Sequence, residues 1–454
     1  MKMREFPVQE KRSALQQVEA ALGQPLFKGE VTDSFLENST EYFRKWHKPR
    51  LRVALETLHL LKESQGGDAS PGVQQRLRTL RDVMRAGQDV EPHTKIEIAG
   101  HQIKVVSSNI RRNDLSWEGL SLVETGVGHE GDVALAEVVD PTGSTKKIEN
   151  IYGRDEGLVK GDKVLVVFGH RHTGTSEYGG IPGDGWDLNA EREVDLLAHG
   201  GIVGKAESIP ARMGQRATKL RVLGLLAKGD TPLNLRDLFP PWENALNSSA
   251  PIIAFCGTGA EVGKTTTASA LIRELKSRGL KVAATKVAGT GRYRDLLALR
   301  DAGADTFHDF PEVGLPSTYT TPERYIPAIK TLINKLNEDE PDIIVAEFGG
   351  DIIEANIPSF FQDAELRSAV KAIIHSSGDI MGMEGSLEHY REWGLSSVPT
   401  FLTQPKERNP LGTETRVKEH IGLPLFDSLN TAQVSDVVTQ IETAILQQEA
   451  DRKA

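Results

Sequence analysis

Ile252-Ile253-Ala254-Phe255-Cys256-Gly257-Thr258-Gly259-Ala260-Glu261-Val262-Gly263-Lys264-Thr265-Thr266 carries the densest chemistry in the chain. An apolar run, a glycine-rich turn and a closing Gly-Lys-Thr read as a strand, a phosphate-binding loop and a helix start. Gly257, Gly259 and Gly263 let the backbone turn tightly and bring N–H groups toward phosphate oxygens, at the positive end of a helix that begins near Lys264. Lys264 is placed to reach the β- and γ-phosphates and Thr265 to hold Mg²⁺. The cofactor-binding set is therefore Gly257, Thr258, Gly259, Ala260, Glu261, Val262, Gly263, Lys264, Thr265 and Thr266. A glycine-rich turn with an incidental lysine is the alternative. The apolar strand before the turn and the helix Ala268 to Arg278 after it argue against that alternative.

Three later segments add charged groups at the ends of apolar runs. Lys281 to Ala288 reads as a second strand that delivers Lys286, followed by the loop Gly289-Thr290-Gly291, and ligands of open α/β sheets sit at the C-terminal ends of strands. A lysine simply solvated at a strand end is the competing reading. Asp295 stands where a helix favours a cap or first-turn carboxylate. Asp342 to Phe348 is an apolar, β-branched strand that places Glu347 at its end, and Gly349 and Gly350 leave room for phosphate or substrate. Lys371 to Ser376 and Val398 to Thr403 read as two more buried strands, with a helix around Gly385 to Trp393 between them.

Taken in order, these segments resemble dethiobiotin synthetase and its relatives, the ATP-dependent amidases, ligases and carboxylases of the cobyrinate diamide synthase kind. Gly257 to Thr265 matches their loop, with Thr258 where the common pattern has its first glycine, and the resemblance covers about Pro251 to Leu429. It implies that Lys286 lies beside the transferred phosphoryl group. It also implies that Asp295, in Asp-Leu-Leu-Ala-Leu, helps hold Mg²⁺, with Asp305 and Asp309 as fallback ligands, and that Glu347 is the Walker B carboxylate. Phe348 replaces a small residue of the family, which implies a following loop shaped for a different substrate. Gln404 stands where the family has an asparagine that reads adenine. The activity implied is that of an ATP- and Mg²⁺-dependent ligase, which phosphorylates a carboxylate or carbamate and closes an amide, an ester or a ring. A small-molecule kinase is a near variant. A nucleotide switch, like the related metal-insertion and partitioning GTPases, is the alternative from another class; the chain lacks a convincing Asn-Lys-x-Asp guanine-reading segment.

The surrounding chain must position these groups. With 454 residues it exceeds one typical core. The pattern predicts a helical domain over 1–92, a β-rich substrate or lid domain over 93–245, a small barrel or sandwich, and a P-loop α/β domain with a mostly parallel sheet over 246–454. Phe35, Tyr42, Phe43, Trp46 and Leu51 read as core of the first. A Pro-rich stretch, Asp237 to Trp242, reads as the linker into the third, and Gln433 to Ala454 as a terminal helix. Hydrophobic content of 38% and charged content of 26% fit a globular chain. The absence of a long apolar run or signal-peptide core predicts a cytoplasmic protein. A net charge of −10 argues against nucleic acid as a partner. The expected partner is a small, anionic substrate, and a homodimer is compatible with the pattern. The lone Cys256 reads as a small buried residue of the P-loop strand.

In the β-rich region, His170, Arg171 and His172 follow the strand Lys163 to Phe168 directly. If the strand continues, His170 and His172 share a face. They would then take an anionic substrate beside Arg171, bind a metal with His199 or His129, or stand solvated at a strand end. Gly200-Gly201-Ile202-Val203-Gly204-Lys205 lacks the spacing of a second phosphate loop and reads as a turn.

Overall fold

The computed structural model describes residues 96–111, 115–404 and 410–453. The chain divides into two compact units, Met1–Thr94 and Lys95–Ala454. The helical domain expected over 1–92 lies outside the described residues.

Within the second unit, the β-rich part closes into a barrel. Its strands are β1 (Val133–Asp140), β2 (Lys163–Phe168), β3 (Glu193–Leu196), β4 (Ile202–Ser208) and β5 (Thr218–Lys228). β5 pairs antiparallel with β1 and β3, β1 with β2, and β3 with β4, and a parallel pairing of β4 with β2 closes the ring. Alternation explains the closure. Ala134, Ala136 and Val138 of β1 and Val164, Val166 and Phe168 of β2 form one buried cluster with Val194, Leu196, Val203, Leu220 and Val222. The intervening Val133, Leu135, Leu165 and Val167 form another, covered by Ile98, Ile103, Ile110 and Leu235.

The P-loop part is a parallel sheet of seven strands. These are β6 (Ile252–Gly257), β7 (Val282–Ala288), β8 (Thr306–Asp309), β9 (Ile343–Phe348), β10 (Val370–Ser376), β11 (Thr400–Thr403) and β12 (Leu425–Phe426), in spatial order 8-7-9-6-10-11-12. Every pairing is parallel. A sheet covered on both faces needs unbroken apolar strands. β6 meets this need by sending Ile252, Ala254 and Cys256 to one layer and Ile253 and Phe255 to the other. The first layer holds α3 (Pro322–Asn337), through Tyr325, Ile329, Leu332 and Leu336. The second holds α1 (Lys264–Ser277) and the C-terminal helix (Thr431–Lys453), through Leu271, Leu275, Val434 and Val438. Trp242 of the expected linker is packed down, its Nε1 donating to the Val313 carbonyl at 2.7 Å.

Barrel and sheet meet through buried charge. Arg111 pairs with Asp309 at 2.6 Å, both side chains almost fully enclosed. α2 (Tyr293–Asp301) follows β7, and its N-terminal N–H groups are accepted by a barrel residue: Glu149 takes Tyr293 N at 2.7 Å and Arg294 N at 3.0 Å. Asp295 lies in the first turn of α2, one of the two places its residue type suits, while the free N–H groups are met by a carboxylate 144 residues away in sequence. Among the described residues no helix is long and apolar enough to cross a membrane.

Candidate nucleotide and acceptor site

The turn from β6 to α1 crosses the C-terminal edge of the sheet. Gly257 is required by close approach, since a Cβ there would lie 2.6 Å from the Ser376 carbonyl oxygen. Gly263 is required by conformation, with φ at 97°. Around Gly259 there is open space. Lys264 folds back so that its ammonium donates to the carbonyls of Gly259 and Gly350, the second at 3.0 Å. Burial pulls this ammonium below its ordinary pKa, and Glu347 pulls the other way. The lysine thus fills, with two carbonyl partners, the loop that its residue type suits to phosphate.

Beside it, Thr265 Oγ1 donates to Glu347 Oε1 at 2.8 Å, while Oε2 is buried with no partner. Burial raises the Glu347 carboxyl, against the pull of Lys286. An unpartnered carboxylate oxygen next to a threonine hydroxyl is a hard-oxygen donor set that fits Mg²⁺. Lys286 forms an ion pair with Asp295 at 2.5 Å. Burial alone would lower the lysine, but Asp295 and Glu347 outweigh it and hold the ammonium above its ordinary value. Asp295 is in turn held low by Lys286 despite its own burial. Gly349 sits against Lys286, where a Cβ would come within 3.0 Å of its Cε and 2.6 Å of the Ala288 carbonyl oxygen.

These groups line one cavity of about 580 Å³. Lys264, Thr265, Thr266, Lys286, Asp295, Glu347, Gly349 and Gly350 line it, as do Gln404, Asp427, Ser428 and Leu429. The Gln404 Oε1 is buried without a partner among the described residues. The barrel contributes Arg171, Thr173, Thr175, Ser176, His199 and Arg212.

Several expectations change at this point. The strand stops at Phe168, so His170 and His172 are not held on a strand face, and neither lines the cavity. His172 stacks on Tyr178 at 4.5 Å and meets Tyr319 at 5.2 Å, and His170 packs against Gly180. Among the described residues no group of three His, Cys, Asp or Glu side chains is arranged to hold a metal. Phe348 turns into the core against Phe360 and Phe361 at 4.9 and 5.2 Å. The fallback carboxylates are engaged elsewhere, Asp309 by Arg111 and Asp305 by Lys276 at 2.6 Å. Gly200 and Gly201 do form a turn, between β3 and β4, with φ at 89° for Gly201. The sequence reading missed Arg292 and Tyr319 altogether and took His199 only as a metal ligand. The glycine pair after His199 was the one local sign that this turn packs closely on something.

A parallel sheet with this loop between its central strand and the following helix is a P-loop NTPase domain. No protein-family model matches the chain, and no curated protein matches it. Among solved structures the chain is similar to chloroplast FtsY from Physcomitrella patens, at 15% identity over 44% of this chain and 70% of that one, with a TM-score of 0.29. A signal recognition particle receptor FtsY from Elizabethkingia anophelis is 16% identical over 46% and 74%, with a TM-score of 0.26. The signal recognition particle 54 kDa protein from Aeropyrum pernix K1, in complex with GDP, is 17% identical over 48% and 54%, with a TM-score of 0.27. At these scores the likenesses decide nothing about activity.

Proposed function

We propose that the chain is an ATP- and Mg²⁺-dependent ligase-type enzyme of the dethiobiotin synthetase-like kind, acting on a small acid. The observation that carries this reading is the shared cavity: Lys264, Lys286 and Glu347 from the P-loop domain line the same space as Arg171 and His199 from the barrel. A carboxylate or carbamate oxygen of the substrate would attack the γ-phosphorus, and the bond to the β,γ-bridging oxygen would break with its electrons to ADP. An amine or hydroxyl would then attack the acyl phosphate, lose its proton and expel phosphate. Lys264 and Lys286 would neutralise charge on the group in flight, since phosphoryl transfer is mostly positioning and electrostatics. Thr265, Glu347 and Asp295 would hold Mg²⁺, which when bound draws the phosphate oxygens together and offsets their charge. For Asp295 this requires release from Lys286.

A nucleotide switch is the second reading, favoured by one observation. The helix that carries Asp295 is capped by Glu149 of the barrel, so a change at the nucleotide would be felt there.

Hydroxylamine separates the two, because it traps an acyl phosphate as a hydroxamate. The purified chain with ATP, Mg²⁺, a deproteinised small-acid fraction and hydroxylamine should release ADP and form hydroxamate in equal amounts, and Lys264→Ala should do neither. ADP release at one rate with or without the acids, with no hydroxamate, would favour the switch. GTP in place of ATP should support little turnover.

A further inference from the structure

Arg171 and His199 of the barrel and Arg292 of the P-loop part line the cavity and have no task in the nucleotide chemistry above. Arg171 is fixed by its Nη1, which donates to Glu177 Oε2 at 3.0 Å and to the Leu197 carbonyl. Glu177 is fully enclosed, and accepts from Ser144, from Ser176 and from Thr145 at 2.6 Å. That leaves Nε and Nη2 of Arg171 without an acceptor among the described residues. Arg292, at the start of α2, is fixed by Nη2, which donates to both oxygens of Asp155 at 3.2 and 3.1 Å, and by Nε, 3.7 Å from Glu149, which leaves Nη1 without an acceptor among the described residues. His199 lines the cavity and holds its buried Nδ1 3.8 Å from Asp155. Both guanidinium groups are therefore oriented by carboxylates behind them while part of each fork remains unspent.

The three groups also act on one another. Burial, then Arg292 and Arg171, press the His199 imidazole below its ordinary pKa, and Arg292 adds to the burial that lowers Arg171. With each guanidinium held by a carboxylate behind it and N–H donors left unspent, and with the His199 imidazole lining the same cavity, the groups suit hydrogen bonding to a carboxylate. Their position matters as well. Thr290 and Gly289 line the same cavity between Arg292 and Lys286, so the cationic wall leads to the lysine placed beside the transferred group.

We propose that Arg171, His199 and Arg292 form the acceptor subsite, and that it takes a small organic acid with two acid groups. One carboxylate is held between the guanidinium groups and the imidazole, and the other is presented toward Lys286. This inference rests on the ligase reading and adds the substrate class, a dicarboxylate, to it.

Succinate tests it, with neutral succinamide as its isostere, on the full chain saturated with ADP and Mg²⁺. Succinate should move the His199 imidazole titration, followed by NMR, to higher pH, because an anion beside it stabilises the imidazolium. Succinamide should leave it in place. Arg171→Gln, Arg292→Gln and His199→Gln should each weaken succinate binding about tenfold or more, and His170→Ala, outside the cavity, should not. Should Arg171→Gln fail to fold, the other two carry the test. An unmoved His199 titration, or succinate bound equally well by Arg292→Gln and His199→Gln, overturns the proposal. Succinate binding that is lost in Lys264→Ala but kept in those variants would place the anion on the phosphate loop and overturns it as well. ADP affinity on the same samples keeps the parent reading separate: no succinate effect with intact ADP binding sinks the subsite alone, whereas a wild-type chain that binds no ADP sinks both.

Discussion

At the residue scale, Glu347 and Lys286 lie close together and are assigned different tasks, and their variants should fail differently. Glu347 offers one oxygen to Thr265 and keeps the other free in a buried setting. Glu347→Gln removes charge but little volume. Nucleotide affinity should stay within about threefold, turnover should fall about 10²-fold, and the Mg²⁺ requirement should rise, because the metal loses a carboxylate. A Mg²⁺ titration that overlays the wild type would remove Glu347 from the metal shell. Lys286 pairs with Asp295, and on the proposed reading its ammonium meets the phosphoryl group in the transition state. Lys286→Ala should therefore leave nucleotide affinity near wild type and lower kcat by about 10² with no change in the Mg²⁺ titration. Equal losses in affinity and in kcat would make it a ground-state contact instead.

At the element scale, β6 and β10 run side by side at the centre of the sheet, and β10 buries a titratable group. His375 is fully enclosed, hydrogen-bonded through Nδ1 to the Tyr390 hydroxyl at 2.8 Å, and its pKa is pushed down from 6.5 to about 3 by burial and then by Lys264. The folded value lies below the unfolded one, so the unfolded chain binds more protons between them. The neutral imidazole then contributes fully above about pH 6.5, and its contribution fades toward pH 3 at about 1.4 kcal/mol per unit. His375→Gln should flatten the fall of Tm between about pH 6 and pH 4 relative to wild type; parallel melting curves would contradict the burial argument. The elements around this group were legible in the sequence, because strand, glycine turn and Lys-Thr lie within a dozen or so residues and each obeys a local rule. The histidine pair was misread for a related reason: alternation predicts a shared face only while the strand lasts, and it ends at Phe168. Nothing local marks where a strand stops when the next partner is Gly179, across a loop.

At the scale of the whole molecule, the site depends on contacts that no window of sequence can display. Arg292 reaches Asp155 across 137 residues, Tyr293 N reaches Glu149 across 144, and Arg111 reaches Asp309 across 198. The P-loop half was therefore readable alone, while the acceptor wall, built by docking, was not. The same contacts make a prediction about how the halves work together. Glu149 caps the helix whose first turn carries Asp295 and lies 3.7 Å from Arg292 Nε, so one carboxylate steadies both the nucleotide-side helix and the cationic wall. Glu149→Ala should cost about 1 to 2 kcal/mol of stability, the loss of a well-placed cap. It should also speed amide exchange at Tyr293 and Arg294 while leaving α1 unchanged. Nucleotide affinity, which rests on the loop and α1, should hold. Turnover should fall, because Asp295 and Arg292 lose their fixed origin. If exchange rises equally through α1 and α2, Glu149 supports the fold at large and the cross-domain cap has no separate part in positioning the site.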